Sequence, residues 1–562
     1  MSDAATASSM RTRASALASM AADPVDLLIV GGGIVGAATA REAALRGIRT
    51  AVVDQGDFAG ATSSGSSRLI HGGLRYLEHG DWRLVLEASR ERAVLLRIAP
   101  HLVHPLAFVF PIYRGSRVPA WQLRAGLWVY DALASFRNTR MHRWLGPKAV
   151  SRVEPRLRTK GLAGAGFYYD AQTDDARLAL GTLRSAAAAG ALVANYASVT
   201  NLLKSDGMLR GATVEDVLTG TTWSVHARVV VNATGPWVDR LRQQDDPSVT
   251  PLLRATKGVH VAVPRARLGH ENAITFISPI DGRVMFVLPW GDMSYIGTTD
   301  TDDPVPPEGV RASGDDVVYL LRSANAVFPD ARLAPRDVFA TWAGLRPLLS
   351  PDRAVTPAAV SREHRIVTAP SGLITVAGGK LTTHRVMGRD VVDQVSSVLH
   401  AQDGRPETRP APTERLPLPG GEAADLEVLV QATIAREIPE PVARHLVGRY
   451  GAEAAAVANL VERDRKLGDL ILPNRPDIWA EIVHAVEREL AVRLSDVLIR
   501  RLHLFYEDLG RGLAAAPAVA ALMGELLGWD KARRETELAL YSAAVERTRA
   551  FLTEVPRLSR AG

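Results

Sequence analysis

Val25–Asp54 reads VDLLIVGGGIVGAATAREAALRGIRTAVVD, and it is the segment from which the fold is most directly predicted. It begins with a short apolar run that is typical of a buried parallel strand. A glycine turn and a helix rich in small residues follow, and a second apolar run ends on Asp54. Gly31, Gly33 and Gly36 give the spacing G-x-G-x-x-G between the first strand and the helix. In this context the pattern predicts the strand-turn-helix-strand unit that binds a dinucleotide.

Each element of this unit has an expected role. Gly31 permits the tight turn, Gly33 lets the backbone approach a pyrophosphate, and Gly36 lets helix and strand pack closely. The first amides of the helix can bind the anion, and Asp54 can accept from ribose hydroxyls. An ordinary glycine turn before a core helix is the alternative, and the unit alone does not distinguish NAD from FAD. The cofactor-binding residues predicted here are Gly31, Gly33, Ile34, Val35, Gly36, Asp54 and Gln55.

Three further segments of small or polar residues suit contacts with a cofactor. Thr62–Ser67 offers hydroxyls and amides for phosphate and ring-edge contacts, although a flexible Ser/Gly loop is the alternative. Val229–Trp237 is an apolar run that ends in a small-residue turn. Gly378–Thr383 precedes a helix, whose N-terminus carries positive potential. The residues predicted here are Thr62, Ser63, Ser64, Ser67, Ala233, Thr234, Gly235, Gly379, Lys380, Leu381 and Thr382.

Composition narrows the class of protein. The 562 residues are 47% hydrophobic and 23% charged, which is typical of a globular protein of several domains. The chain has no cysteine, so it forms no disulfide and holds no cysteine-ligated cluster, and no metal site is predicted. The net charge of +6 permits contact with anionic lipid or an anionic substrate and does not require a nucleic-acid partner. No uninterrupted apolar stretch is long enough to span a membrane.

The order of patterns predicts an α/β fold with four segments. Residues 1–24 are expected to be a disordered tail, with a transit-like segment as the alternative. Residues 25–400 are expected to form a Rossmann-like dinucleotide-binding domain with an inserted antiparallel-sheet substrate domain, made of roughly residues 100–165 and 250–345. A Pro-rich linker at 401–418 then leads to an all-helical C-terminal domain at 419–562.

Eight motifs between Val25 and Trp529 point to one family. They are IVGGGIVGAATA (Ile29–Ala40), ATSSGSSRLIHGGLRYLEHG (Ala61–Gly80), VNATGPWV (Val231–Val238), TKGVHVAVP (Thr256–Pro264), LPWGDMSYIGTTD (Leu288–Asp300), GLRPLL (Gly344–Leu349), GGKLTTHR (Gly378–Arg385) and LSDVLIRRLHLFYED (Leu494–Asp508). Together they resemble the FAD-dependent, quinone-linked glycerol-3-phosphate dehydrogenases. The sequence departs from that pattern at Arg41-Glu42, at Arg68, where Lys is also common, and at His384, where Tyr is usual.

The resemblance implies the chemistry. The cofactor would be FAD, and the reaction would be oxidation of sn-glycerol 3-phosphate to dihydroxyacetone phosphate, with hydride passing from C2 to flavin N5. Electrons would pass to a membrane quinone, so the protein would be cytoplasmic and peripherally associated with the inner face of the cell membrane. Leu494–Phe505, with Arg500 and Arg501, could contact the membrane, and an ordinary core-facing helix is the alternative. A homodimer is possible.

This reaction suggests roles for five residues. His71 is the candidate base for the hydroxyl proton, since imidazole titrates near neutrality, and a structural histidine is the alternative. Arg346 and Arg68 are the candidate phosphate ligands, since Arg binds phosphate oxygens bidentately. Lys380 and Lys257 could steady the developing negative charge, or could simply hold backbone carbonyls. Lys380 is also a candidate substrate-binding residue.

The sequence leaves one close alternative function open and disfavours two others. An oxidase of the same fold that passes electrons to oxygen would carry the same residues. An amine oxidase is disfavoured by the cations Arg68 and Arg346, which suit a phosphate. A binding module that holds a dinucleotide only structurally is disfavoured by the polar cluster at Ser66–Arg75 together with Arg346 and Lys380.

Overall fold

The computed structural model describes residues 13–74, 81–133, 140–302, 306–350, 363–423 and 425–558. In chain order its first elements are α1 (Arg13–Ala22), β1 (Val25–Val30), α2 (Ile34–Leu45), β2 (Thr50–Val53), β3 (Leu69–Ile70), α3 (Trp82–Ile98), β4 (Val103–Tyr113), α4 (Ala120–Leu133), β5 (Arg143–Leu145), α5 (Pro147–Val153), β6 (Leu162–Thr173), α6 (Asp175–Ala188), β7 (Leu192–Ala194), β8 (Ala197–Ser205), β9 (Met208–Asp216) and β10 (Thr222–Asn232).

The chain continues with a mixed region and then with helices. These elements are α7 (Val238–Asp245), β11 (Leu253–Pro264), α8 (Arg265–Leu268), β12 (Ala273–Ile277), β13 (Val284–Trp290), β14 (Met293–Gly297), β15 (Thr301–Asp302), α9 (Gly314–Val327), β16 (Ala340–Leu349), β17 (His364–Thr368), β18 (Ile374–Gly378), α10 (His384–Asp403), α11 (Leu426–Ile434), α12 (Glu440–Tyr450), α13 (Ala454–Arg463), α14 (Trp479–Arg488), a π-helical turn (Asp496–Arg501), α15 (Leu504–Glu507), α16 (Ala516–Leu527), α17 (Lys531–Arg549) and α18 (Phe551–Leu558).

The first sheet carries the dinucleotide-binding unit. Its strand order is β17-β18-β10-β1-β2-β7, with β9 and β8 extending from β10. The strands from β18 to β7 run parallel, and β17 is antiparallel. All of β2 is buried, and Ala37, Ala40 and Ala43 of α2 share its core with Val391 of α10. These small side chains let two helices approach the same sheet face closely, so the parallel sheet is covered as such sheets require.

The second sheet is mostly antiparallel. Its order is β15-β11-β14-β13-β12-β4-β6-β3, with β16 paired to β11 and β5 to β6. It therefore uses residues up to Thr173 and Leu349, slightly beyond the predicted limits of 165 and 345, and takes in Leu69–Ile70 from the loop after the dinucleotide unit. The predicted fold class, a Rossmann-like domain with an inserted antiparallel sheet and a helical C-terminal region, is confirmed.

The prediction of a disordered tail at residues 1–24 is wrong for residues 13–22, and residues 1–12 lie outside the described part of the chain. This segment forms α1, whose Ala16, Leu17 and Met20 are fully buried against the first sheet. Arg13 donates to the backbone oxygen of Asn195 and forms an ion pair with Asp216. The apolar face and the buried ion pair hold the helix in place, because an exposed helix of this length is marginal in water.

The linker is shorter and more tightly packed than predicted. Helix α10 continues to Asp403, and the following segment lies on the first domain. Arg41 donates to the backbone oxygens of Thr413 and Leu416, and Leu418 is buried. Within the described residues, no helix has both the length and the apolar character needed to cross a membrane.

Candidate active site

A cavity of about 1150 Å³ lies where the two sheets meet. The carboxyl ends of β1, β2, β10 and β18 open into it, followed by Gly31, Asp54, Ala233 and Gly379. Strands run parallel in this part of the first sheet, so their carboxyl ends share one edge. The second sheet contributes the other wall, including Phe108, and the cavity is therefore the natural candidate for the active site.

The glycine turn is built for close backbone contact. Gly31 has φ +110°, and a Cβ atom on it would lie 2.5 Å from the oxygen of Ala233. A Cβ on Gly36 would lie 1.8 Å from the oxygen of Gly31. The amide of Ile34, at the start of α2, donates to Ser63 Oγ at 2.9 Å. Only glycine fits at positions 31 and 36, so β1 and α2 pack as the dinucleotide unit requires.

Asp54 lies at the end of the second strand with its carboxylate fixed. The amide of Gly32 donates to one oxygen at 2.7 Å and the amide of Gly56 donates to the other at 2.9 Å. Burial raises the pKa of Asp54 to about 6, because these two amide hydrogen bonds only partly offset the loss of water. A pair of hydroxyl donors would stabilise the ionised form, which is what the ribose of a dinucleotide offers.

Most of the predicted cofactor residues line this cavity. Gly36 and Ser64 do not: Gly36 acts through packing, and the Ser64 hydroxyl points to the oxygen of Ala61. The residues that do line it are Gly31, Gly33, Ile34, Val35, Asp54, Gln55, Thr62, Ser63, Ser67, Ala233, Thr234, Gly235, Gly379, Lys380, Leu381 and Thr382. A glycine cradle, an α-helix N-terminus and a carboxylate at one end, with a large apolar chamber at the other, fit FAD.

His71 and Lys380 lie on adjoining segments of the cavity wall. The amide of His71 donates to Thr382 Oγ1 at 3.2 Å, and the same hydroxyl lies 3.3 Å from the oxygen of His71. The His71 ring packs edge-on against Phe286, with ring centroids 6.4 Å apart. Thr382 therefore joins the loop that carries His71 to the turn that carries Lys380, and both side chains line the cavity.

Arg346 lines the cavity from β16. Its guanidinium donates to Asp300 at 3.2 Å, to Thr298 Oγ1 at 2.9 Å and to the oxygen of Thr299 at 3.0 Å. A Cβ on Gly258 would lie 2.4 Å from the guanidinium, so this glycine leaves the space that the side chain occupies. These contacts hold the planar group in one orientation, which suits recognition of a phosphate or carboxylate.

Lys257 does not lie in the cavity, so the catalytic role predicted for it is not supported. In the antiparallel pair of β11 and β16, Thr256 lies opposite Arg346 and Lys257 lies opposite Leu345. Since side chains alternate along a strand, Lys257 faces away from Arg346. It forms an ion pair with Asp316 at 3.0 Å, on the other side of the sheet.

Arg68 is also absent from the cavity lining, and the substrate-binding role predicted for it is not supported. Its backbone has φ +51°, and its side chain is 1% exposed. The guanidinium lies 4.5 Å from the ring centroid of Trp290, 5.2 Å from that of Trp342 and 3.8 Å from Asp175. Arg68 is therefore a buried cation that supports the wall from behind.

The helical C-terminal region contributes a side chain that the sequence did not assign to the site. Arg500 lines the cavity near Asp54, and its Nε donates to Asp57 at 2.5 Å. Arg501 donates to the same carboxylate at 2.5 and 3.0 Å. The sequence signal for this contact was the pair of adjacent arginines in an amphipathic segment, because arginines that become buried need acidic partners. This placement also contradicts membrane contact by Leu494–Phe505, which packs into the core.

Comparison with known proteins agrees with this geometry. Residues 26–394 match the model of the FAD dependent oxidoreductases, and residues 411–534 match the C-terminal domain of alpha-glycerophosphate oxidase. The chain is 36% identical to an aerobic glycerol-3-phosphate dehydrogenase of Bacillus subtilis (strain 168) over 523 residues, which cover 92% of this chain and 93% of that protein.

Two solved structures have the same fold. The glycerol-3-phosphate dehydrogenase from Bacillus halodurans, complexed with FAD, is 30% identical and superimposes with a TM-score of 0.81, covering 95% of this chain and 97% of that one. The L-alpha-glycerophosphate oxidase from Mycoplasma pneumoniae, with FAD bound, is 19% identical with a TM-score of 0.54, covering 66% and 95% of the two chains, and shows the fold alone. The protein is therefore an FAD-dependent oxidoreductase that belongs to the family of aerobic glycerol-3-phosphate dehydrogenases.

Proposed function

We propose that the protein oxidises sn-glycerol 3-phosphate to dihydroxyacetone phosphate and passes the electrons to a membrane quinone. The observation that carries the first part is that one cavity joins the FAD cradle to His71, Arg346 and Lys380. A base and two cations are what oxidation of a phosphorylated secondary alcohol requires. FAD held by the glycine cradle would supply the hydride acceptor for oxidation at C2 of the substrate.

His71 takes the proton of the C2 hydroxyl in this proposal. The backbone N–H and C=O of His71 both hydrogen-bond to Thr382 Oγ1. These bonds fix the position of the His71 backbone on the cavity wall. A neutral imidazole has a ring nitrogen that can accept a proton. Replacing His71 with Asn should lower the rate of flavin reduction by roughly 10²–10⁴-fold with FAD retained. A loss below about tenfold would remove His71 from this role.

Arg346 binds the substrate phosphate, and Lys380 steadies the negative charge that develops on the C2 oxygen. Arg346 suits a dianion because its guanidinium is planar and oriented by three oxygen partners. Lys380 follows Gly379 in the turn before α10 and lies beside the loop of His71. Lys380→Met should slow flavin reduction, and a variant with the wild-type rate would refute this assignment.

The first experiment is an anaerobic titration. The purified protein should show flavin absorbance that bleaches when glycerol 3-phosphate is added without oxygen. Glycerol is the matched control, since it has the same C2 alcohol and lacks the phosphate that Arg346 binds. A flavoprotein that stays oxidised with glycerol 3-phosphate would contradict the proposed substrate and leave the fold and cofactor intact.

A quinone is the proposed acceptor, and the protein would then work at the inner face of the cell membrane from the cytoplasm. The relatives described as dehydrogenases support this proposal over an oxidase. The oxidase alternative rests on the C-terminal domain match, whose description names an oxidase. Measured per turnover, hydrogen peroxide should be a minor product in the presence of a quinone analogue. Stoichiometric peroxide would favour the oxidase.

A further inference from the structure

One helix presents large aromatic side chains to solvent. Trp121 is 72% exposed and Trp128 is 58% exposed, and both belong to α4. They are seven residues apart, so they lie on the same face of the helix, and the exposed Ala125 lies between them. The opposite face, with Leu123 and Leu127, is buried. Exposed tryptophans grouped on one helix face mark an interaction surface, because scattered single apolar residues are the norm on soluble proteins.

The surroundings of these tryptophans are basic. Between residues 114 and 148 the exposed charged side chains that the structure describes are Arg114, Arg117, Arg124, Arg140, Arg143 and Lys148. The acid in the described part of this stretch, Asp131, is buried and lies 2.7 Å from His142 Nδ1. Arg124 lies 5.7 Å from the Trp144 ring and Trp128 packs edge-on against His142, so helix and neighbouring strand form one surface. Its charge is complementary to an anionic partner.

This basic aromatic surface adjoins the active-site cavity. Gln122 and Ala125 of α4 are exposed and also line the cavity, so the cavity reaches the protein surface along this helix. Leu123 and Val129 of the same helix line it as well. Trp82, 49% exposed, lines the cavity from the start of α3. An apolar molecule held in a lipid layer against α4 would therefore face an apolar entrance to the site.

We propose that this surface, Trp121, Trp128 and the basic residues around them, docks the protein on an anionic lipid bilayer. The inference rests on the proposed function, because a quinone acceptor must be reached from the membrane. Tryptophan prefers the headgroup boundary, where its apolar body is buried and its N–H is hydrated. Arginines beside it bind lipid phosphates, and α4 lies in the plane of the interface. The cavity entrance then opens toward the lipid that carries the quinone.

The test compares vesicle binding of the full-length, FAD-loaded protein and its variants. Wild type should sediment with vesicles of phosphatidylcholine and phosphatidylglycerol, and much less with phosphatidylcholine alone. Trp121→Ser/Trp128→Ser should weaken binding at least tenfold. Arg124→Glu/Arg143→Glu should weaken it by more, since each basic contact with an anionic surface is worth roughly fivefold. The control is Val428→Ser/Leu509→Ser, which removes side chains that are 62% and 67% exposed on the helical domain.

Two activity measurements separate this surface from the chemistry. With a soluble dye as acceptor, the tryptophan variant should oxidise glycerol 3-phosphate at the wild-type rate, because neither tryptophan lines the cavity. With quinone embedded in the anionic vesicles, its rate should fall in step with its vesicle binding. A tryptophan variant that binds vesicles like wild type would overturn this docking surface alone.

Two other outcomes would overturn the proposal in different ways. A wild-type protein that ignores anionic vesicles, yet reduces the dye, would remove the membrane from the proposed function while leaving the oxidation intact. A variant that changes the oligomeric state in light scattering, with vesicle binding unaltered, would assign this face to a second copy of the chain.

Discussion

The docking of the helical region on the cofactor domain should depend on Asp57. This carboxylate is fully buried and accepts hydrogen bonds from Arg500 at 2.5 Å, from Arg501 at 2.5 and 3.0 Å, and from Asn195 at 3.1 Å. Burial alone would raise the pKa of Asp57, but the charges of the two arginines lower it to about 2. Asp57 is therefore ionised at neutral pH and joins two buried cations from a distant part of the chain.

Asp57→Asn keeps the shape of the side chain and removes its charge. Breaking a buried ion pair from one side costs about 3–5 kcal/mol, because the remaining charge is left without compensation. Arg500 keeps a second partner, Asp496 at 2.8 Å, and Arg501 keeps the oxygen of Glu489 at 2.8 Å. We therefore expect a loss near the lower limit, about 3 kcal/mol of unfolding free energy. FAD should also be retained less well, since Arg500 lines the cofactor cavity.

Unfolding in urea would be monitored by tryptophan fluorescence, and flavin content would be measured after gel filtration. The control is Asp403→Asn, which removes an acid that pairs with Arg228 and Arg405 at the surface and should leave both readouts unchanged. A loss below about 1 kcal/mol for Asp57→Asn, with FAD fully retained, would refute the reasoning. It would show that apolar packing, and not this ion pair, holds the two regions together.

Three more predictions concern the cofactor and substrate. Gly36→Ala places a Cβ 1.8 Å from the oxygen of Gly31 and should abolish FAD retention. Gly448→Ala should do no harm, because apart from its chain neighbours and its own helix backbone no atom lies within 4 Å of the new Cβ. Equal flavin content in the two variants would contradict the packing argument. FAD bound by Asp54 would stabilise the ionised form of this carboxylate, whose pKa is raised to about 6. FAD affinity should therefore fall as pH drops through about 6, and a titration of Asp54→Asn should lack this step. Arg346→Met should raise KM for glycerol 3-phosphate roughly 10- to 100-fold and abolish the preference over glycerol, as steady-state kinetics would show; an unchanged KM would remove Arg346 from phosphate binding.

Local patterns were sufficient to predict many of the residues that line the cavity. Gly31, Gly33 and Asp54 were predictable because a turn, a helix N-terminus and a strand end are encoded within a few residues of one another. Ala233 and Gly379 were predictable for a related reason: each follows an apolar run, and parallel strands bring their carboxyl ends to one edge.

Side-chain direction and long-range partners were not predictable in the same way. Lys257 and Arg346 both belong to motifs from which a role at the substrate was predicted. Side chains alternate along a strand, however, so in the β11–β16 pair these two lie on opposite faces of the sheet. Arg68 follows a polar loop, yet its left-handed backbone turns it beneath Trp290 and Trp342. These side-chain directions cannot be predicted without the tertiary structure, including the register of the sheet.

Periodicity and glycine spacing were enough to predict the α/β dinucleotide unit, the antiparallel insertion and the helical C-terminal region, because both act over short range. The packing of distant segments, by contrast, brings Arg500 to the wall of the cavity and leaves Trp121 and Trp128 exposed beside its entrance. An amphipathic helix has the same pattern whether its apolar residues meet a core, a membrane or a partner. Which of these it meets depends on how distant segments pack, and that information is not local.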